Sequence, residues 1–384
     1  MAAFSPLLDM LADVPDPRRA EGKLYGLSHV LLFSILAIVS GCNSYRGVER
    51  RRSPDIVTFI DVHRRRLNAV CGLNWRRAPA HTAIRYILQG LDPVEMEAAF
   101  RRHAALLQAA RTVPGQGSIA LDGKTLRGSF DAFHDRTAAQ VLSAFATDTA
   151  LVLAHVDIAE KSNEIPAAQA LLAELGVARG VIVTLDALHC QKTFEAAAAA
   201  NIDLVVQVKG NQPTLHQHIQ LISTTTAPLG SARSHDRGRT RDERRAVTAF
   251  DPADGLTETG WQPHIAAIFR VERDVYTRNA ATGLLHHSAE TAFYVANTPL
   301  TAARAAEAIR AHWQIENTSH HSRDVTLGED RSRIQTNPGV FARLRSFAFN
   351  ILKANRTDTL SQDRYRAALA GIDGLRTLIA IPKR

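Results

Sequence analysis

Apolar residues recur at helical spacing through Leu27, Val30, Leu31, Ile35 and Ile38, with Ser34 in the same series, and the run closes on Gly41. That spacing predicts a helix, with glycine ending it in the usual C-terminal manner. The stretch Val30 to Val39 is strongly apolar, yet far shorter than the ~20 residues of a membrane span. It also begins too far inside the chain for a secretory signal, so it predicts a buried core helix and no membrane partner. The whole segment from Phe4 to about Arg111 reads as helical.

Around Val113-Pro114-Gly115-Gln116-Gly117 the helical period stops. Short apolar runs follow. Ile119 to Leu121, Gln140 to Thr147 and Leu151 to Ile158 predict three strands, the last two joined by a turn at Asp148-Thr149-Ala150. A helix is expected from about Pro166 to Leu175, then a strand over Val181 to Leu185. An alanine-rich helix to Ala200 and a strand over Leu204 to Val208 complete the series. Three strands, helix, strand, helix, strand is the order of an α/β, ribonuclease-H-like mixed sheet flanked by helices.

From about Ala227 to Asn297 the chain is first arginine-rich, then strand-like at Ala246 to Phe250, Ile265 to Val271 and Thr291 to Val295, which predicts an inserted β subdomain. Helical sequence resumes at Thr298-Pro299 and runs through Glu316, with a second apolar helix from Gly339 to about Ala354. The expected organisation is a helical N-terminal domain (1–112), a first catalytic part (116–226), the β insertion (227–297) and a helical C-terminal part (298–384).

Charge adds a partner to this picture. Of the 384 residues 46 are Lys or Arg and 38 are Asp or Glu, a formal charge of +8. An excess of cations favours a polyanion, because each neutralised phosphate releases condensed counterions. Arg50-Arg51-Arg52, Arg64-Arg65-Arg66, Arg76-Arg77 and Arg101-Arg102 cluster in the helical segment and tilt it toward DNA, against the plainer reading of solvated helix faces. The three cysteines, Cys42, Cys71 and Cys190, form no CxxC pair, which excludes a disulfide framework or zinc knuckle and fits a reducing cytoplasm. His189-Cys190 suggests a thiol nucleophile less well than a core cysteine, since adjacent residues diverge on a regular element.

Asp122 and Asp186 each end an apolar strand, where acids from neighbouring strands converge over one sheet edge; turn capping is the competing role for either alone. Ile309, His312, Trp313 and Glu316 share one helical stripe that should face inward. A carboxylate on such a stripe needs a cation, either a metal or an arginine such as Arg310 or Arg323. Oxygen-only ligation by Asp and Glu suits two Mg²⁺ (or Mn²⁺) ions and phosphoryl transfer. His312, Glu316 and His320 lack the HExxH pattern and a fourth ligand for zinc, and no Walker loop or GxGxxG is present.

Several segments then fall into a known pattern. LDGKTLRGS (Leu121 to Ser129), KSNEIPAAQALL (Lys161 to Leu172), VIVTLDALHCQK (Val181 to Lys192), QVKGNQPTL (Gln207 to Leu215) and HWQIENTSHHSRDVTLGEDRSR (His312 to Arg333) closely resemble the H-repeat-associated transposases of bacterial insertion sequences. The stretch VPDPRRAEGKLYGLSHVLLFSILAIVSGCNSY resembles the helical domain that precedes the nuclease domain there.

The resemblance implies a DDE nuclease that uses Mg²⁺ on double-stranded DNA, both its own inverted ends and the target, as a homodimer in the bacterial cytoplasm. It places the three acids on Asp122, Asp186 and Glu316, with Glu329-Asp330 as the competing place for the third. In the Tyr-Arg-Glu-Lys signature of related transposases, Ile309, His312 and Arg323 stand at the tyrosine, arginine and lysine positions. Lys124, Lys209, His312 and Arg323 are the expected phosphate contacts, while Ser162-Asn163-Glu164 reads as a helix start. Ser319 and His321 stand where the family commonly has leucine and tryptophan. The competing functions are a DNA-binding relative that has lost catalysis and a nuclease acting on RNA or hybrids.

Overall fold

Each apolar run folds as its period demands. The computed structural model describes residues 4–45, 55–111, 117–131, 133, 136–159, 164–176, 180–186, 191–257 and 259–380. Arg50-Arg51-Arg52, Ser162-Asn163 and His189-Cys190 lie outside the described residues.

The chain runs through five helices: α1 (Ser5–Ala12), α2 (Leu27–Val39), α3 (Ile56–Cys71), α4 (His81–Gly90) and α5 (Pro93–Ala109). Then come β1 (Ser118–Thr125), β2 (Gln140–Ala146), β3 (Leu151–Ile158), α6 (Glu164–Glu174), β4 (Ile182–Leu185), α7 (Gln191–Ala199), β5 (Asp203–Val208) and α8 (Pro213–Thr225). A four-strand meander follows: β6 (Gly230–Arg237), β7 (Arg241–Phe250), β8 (Ala267–Arg278) and β9 (Leu285–Ala296). The chain ends with α9 (Ala302–His312), α10 (His321–Val325), α11 (Pro338–Ala354) and α12 (Leu360–Ile379).

The strands order as β3-β2-β1-β4-β5-β9-β8-β7-β6 in one mixed sheet. Its first five strands have the expected ribonuclease-H-like order. The inserted strands do not form a sheet of their own, because β9 pairs antiparallel with β5 from Val205↔Ala296 to Val208↔Phe293 and so extends the main sheet. Sequence pattern missed β6, whose residues are exposed or half-buried throughout and so carry no apolar alternation.

By internal contacts the chain divides into two units, Met1–Val113 with Gly123–Ser162 and Ile315–Arg384, and Pro114–Asp122 with Asn163–Gln314. In the first unit α2 is apolar on every side, and Leu27 and Val30 to Val39 are all buried. Helix α11 packs against α2 and α5. A polar knot ties α5, β3 and α11 together: Glu97 accepts from Arg343 Nε at 2.8 Å and from His155 N at 2.7 Å. Some arginines of this unit's clusters are paired with acids. Arg66 bonds Asp373, Arg101 bonds Glu97 and Arg102 bonds Asp13, whereas Arg65, Arg76 and Arg77 are exposed.

In the second unit α9 lies on one face of the sheet. Ala302, Ala305, Ala308 and Ile309 pack against Ile182, Val205, Val247, Ala249, Phe269 and Val271. The helix is capped by Thr301, whose side chain accepts from Arg304 N, so it begins three residues later than the Thr298-Pro299 cue suggested.

Candidate active site

Parallel pairing of β1 with β4 sets Leu121 opposite Leu185, and Asp122 and Asp186 are the next residues along. Adjacent strands lie about 4.8 Å apart, and residues in register share a face. The second unit therefore brings these two acids side by side on the face covered by α9. Asp122 does not end its strand, as its sequence context suggested. β1 continues to Thr125 after its pairing with β4 has stopped.

Asp186 is 45% exposed and accepts from Lys209 Nζ at 2.6 Å. Lys209 leaves β5 where Gln207 is the register neighbour of Asp186, so its alternation returns the ammonium to the acid's side. The expected phosphate contact is thus the neutralising partner of a carboxylate here.

His312, the last residue of α9, has Nδ1 at 2.8 Å from Thr184 Oγ1. Thr184 Oγ1 also lies 3.4 Å from the Ile119 carbonyl, so the hydroxyl bridges the ring and β1. Burial pulls the His312 pKa down to about 4, outweighing the upward pull of Asp186, and Lys209 adds to the fall. The ring is uncharged at neutral pH, unlike the arginine whose position it takes in the signature.

Glu164, read from sequence as part of a helix start, opens α6. Burial and the charge of Asp186 both raise its pKa. A charged side chain in the first turn of a helix gives sequence no reason to associate it with a strand end, so this neighbour was missed.

The inward stripe through Glu316 is not formed. Ile309 is 6% exposed, but Trp313 is 45% exposed and Glu316 is exposed. Helix α9 ends at His312, and Ile315–His320 is a π-helical turn. A π turn inserts a residue into the repeat and rotates every later side chain, so the four-residue spacing no longer marks one face. π turns recur at functional sites.

Elsewhere in the first unit, Lys124 and Arg323 are buried in ion pairs. Lys124 Nζ lies 2.6 Å from both oxygens of Asp324 and 3.9 Å from Glu329 Oε2 and Asp330 Oδ1. Arg323 Nη2 bonds Glu329 Oε1 at 2.8 Å. At 8% and 1% exposure these side chains face acids and not solvent. Burial raises and the charges of Arg323, Arg345 and Lys124 lower the Glu329 pKa, with a net fall, so it is ionised. Burial raises the Asp324 pKa against the pull of Lys124.

Among the described residues, no three His, Cys, Asp or Glu side chains stand together as a metal cage. Asp122 and Asp186 supply the oxygen-only donor chemistry that a hard divalent cation requires, as a pair.

Residues 8–104 match the family model "DDE_Tnp_1-associated", and residues 114–351 match "Transposase DDE domain". The chain is 28% identical to the H repeat-associated putative transposase YhhI of Escherichia coli (strain K12), over 90% of each sequence. It is 33% identical to an uncharacterized protein encoded in the dhlA 3′ region of Xanthobacter autotrophicus, over 67% of this chain and 85% of the other.

Proposed function

The chain belongs to the transposase DDE domain family, and on that premise we propose that it is an active DNA transposase whose acids are Asp122, Asp186 and Glu316. The observation that carries the proposal is the side-by-side placement of Asp122 and Asp186 beyond Leu121 and Leu185. Glu316 joins them on its motif, HWQIEN, and on its π-helical turn.

The reaction is cleavage at the element's ends followed by attack of the freed 3′-hydroxyl on target DNA. Mg²⁺ or Mn²⁺, when bound, supplies activation of the attacking oxygen and stabilisation of the leaving one. Asp122 and Asp186 would hold the cations. Lys209 balances the charge of Asp186 and would be free to meet solvent or phosphate if a divalent cation took over that charge. His312 holds Thr184 through Nδ1. Joining two ends calls for a homodimer acting on chromosomal DNA in the bacterial cytoplasm.

The test is strand cleavage of a duplex carrying the DNA that flanks the coding region, with Mg²⁺. The proteins compared are the full chain and Asp122→Ala, Asp186→Ala and Glu316→Ala. Each substitution is expected to abolish cleavage while leaving DNA binding intact. Normal cleavage by any one of them sinks that residue's assignment, and cutting of RNA or hybrid in preference to DNA sinks the substrate.

A further inference from the structure

Strand alternation sorts the arginines of the meander onto two faces, and they are not equivalent. On one face Glu243 is 5% exposed and gathers three guanidinium groups. Arg241 reaches its Oε2 through Nε at 3.0 Å and Nη2 at 2.6 Å. Arg273 Nε reaches Oε1 at 2.9 Å, and Arg245 Nη2 contacts the same oxygen. On the other face Asp242 meets His235 at 2.9 Å but Arg244 and Arg237 only at 3.7 and 3.8 Å, with both arginines mostly exposed. Loose, solvated pairs of that kind hold little geometry.

The Glu243 group is held firmly. Burial alone would raise the Glu243 pKa; hydrogen bonds from Arg273 and Arg241 and the charges of Arg245 and Arg273 bring it down to about 2. One carboxylate cannot use three guanidinium groups, each with five N–H donors. Arg241, Arg273 and Arg245 keep 48%, 31% and 20% of their side chains exposed. Their remaining donors meet solvent from a fixed centre of net positive charge. Nearby acids take only part of that charge: Glu290 lies 3.5 Å from Arg273, and Asp236 is paired with Arg310 at 2.6 Å.

This face is also the face of the candidate acids. Leu185 is opposite Val206 and Val206 opposite Val295, so Asp186, Gln207 and Tyr294 stand in line. Four residues along β9 from Tyr294 is Glu290, whose register partner is Arg273, itself opposite Arg245. An even number of residues keeps the side, and four residues of strand span about 13 Å. Asp186, Arg245 and Arg273 all act on Tyr294, whose pKa burial and Asp186 raise and the two arginines lower.

We propose that Arg241, Arg245 and Arg273, held around Glu243, form a phosphate-gripping patch for the backbone of duplex DNA, with Glu243 as the residue that positions the donors. Planar guanidinium groups with fixed orientation suit phosphate bidentately. The inference rests on the DNA-transposase reading and adds to it a surface, outside the acid pair, that takes the flanking duplex.

The experiment measures binding of a fluorescein-labelled random-sequence duplex to the full chain by anisotropy across a salt series. Each lost phosphate contact is expected to reduce the slope of log K against log salt by about 0.9, and affinity at ~0.1 M salt on the order of ten-fold. Arg245→Ala with Arg273→Ala is therefore expected to flatten the slope by roughly two. Arg237→Ala, which removes one such charge from the opposite face, is expected to leave the slope unchanged.

Glu243→Gln gives a test of sign. It adds one positive charge, so charge alone predicts tighter binding, whereas loss of the positioning carboxylate predicts weaker binding. Should Glu243→Gln unfold the meander, seen as loss of its strand signal in circular dichroism, the arginine pair and its control still decide the question. Equal slopes for wild type, the double variant and Arg237→Ala overturn the patch. Absence of duplex binding by the wild type instead overturns the DNA reading on which the patch rests.

Discussion

Arg323 and Glu329 meet at 2.8 Å with both side chains 1% exposed. Six residues apart, they tie α10 to the loop that follows it. Nε and Nη1 of Arg323 and Oε2 of Glu329 are buried without a direct hydrogen-bond partner. Removing one member strands the other's charge away from water, and such a loss costs about 3–5 kcal/mol. Glu329→Gln and Arg323→Met should each lower the urea midpoint accordingly. Because an apolar pair of similar volume is often neutral, Arg323→Met combined with Glu329→Leu should recover much of the loss. Additive losses in the double variant would show that the two residues do not act as a pair.

The same contrast gives a test between the candidates for the third acid. Glu316 is exposed in a π-helical turn, and Glu329 is buried in an ion pair. Glu316→Gln should therefore change stability by less than about 0.5 kcal/mol, as exposed substitutions do, while abolishing strand cleavage. Glu329→Gln should lose stability first. A folded, stable Glu329→Gln protein that has lost all cleavage, alongside a fully active Glu316→Gln, would transfer the role to Glu329.

These two residues also mark how far sequence could be read. The apolar runs gave the strands and their order, because a central strand must be apolar whatever its neighbours. Asp122 and Asp186 stood out for the same reason: an acid after an apolar run is conspicuous. The meander's β6 was not legible, since both of its faces meet water and alternation vanishes. Nor was the surrounding of Glu316. Helical spacing assumes an unbroken repeat, and the π turn at Ile315–His320 breaks it without any glycine or proline to announce it. The ion pairs of Lys124 and Arg323 were not legible either, because sequence shows a charge but not its partner. Asp324 and Glu329, which bury them, lie 200 and six residues away respectively.

Gly128 explains the glycine of the LRGS segment. A Cβ built there would stand 1.7 Å from the Ser332 carbonyl oxygen and 2.8 Å from its carbon. Both are backbone atoms and cannot rotate away. Gly128→Ala must shift the 330–332 segment, which carries Asp330, one of the acids within 3.9 Å of Lys124. The expected result is a loss of about 1–3 kcal/mol, the range for overpacked sites, in urea unfolding. An unaltered midpoint would show that the two segments are free to separate.

Ser346 Oγ lies 2.9 Å from His155 Nε2, and His155 Nδ1 lies 3.1 Å from Glu97 Oε2. This has the connectivity of a hydrolase triad. All three residues are nonetheless buried, at 0%, 1% and 6% exposure, and Arg343 occupies the same carboxylate at 2.8 Å. The arrangement is a structural knot joining α5, β3 and α11. Ser346→Ala is expected to cost about 1–2 kcal/mol of stability, the cost of leaving a buried ring nitrogen unpaired, and to leave strand cleavage intact. A serine-directed fluorophosphonate should not label the native protein; labelling lost in Ser346→Ala would contradict the structural role.

His103 sets an acid limit on the first unit. It is 2% exposed, packs at 5.3 Å against Phe347 and has no partner at Nδ1. Burial brings its pKa from 6.5 down to about 4. The unfolded chain therefore binds a proton between these values while the folded chain does not, and stability rises with pH across that window. The contribution is complete above the unfolded value and is lost as pH falls from 6.5 toward 4, by about 3 kcal/mol at 1.36 kcal/mol per unit. His103→Leu keeps the packing and removes the proton. Its urea midpoint should fall less than that of the wild type between pH 7 and pH 5, by an amount equivalent to about 2 kcal/mol. Glu97 cannot produce the same difference, because its pKa of about 2, where burial is overcome by His155 and Arg343, places its own window below pH 4.5. Parallel pH profiles for the two proteins would mean that the His103 ring accepts a proton in the folded state as readily as in the unfolded one.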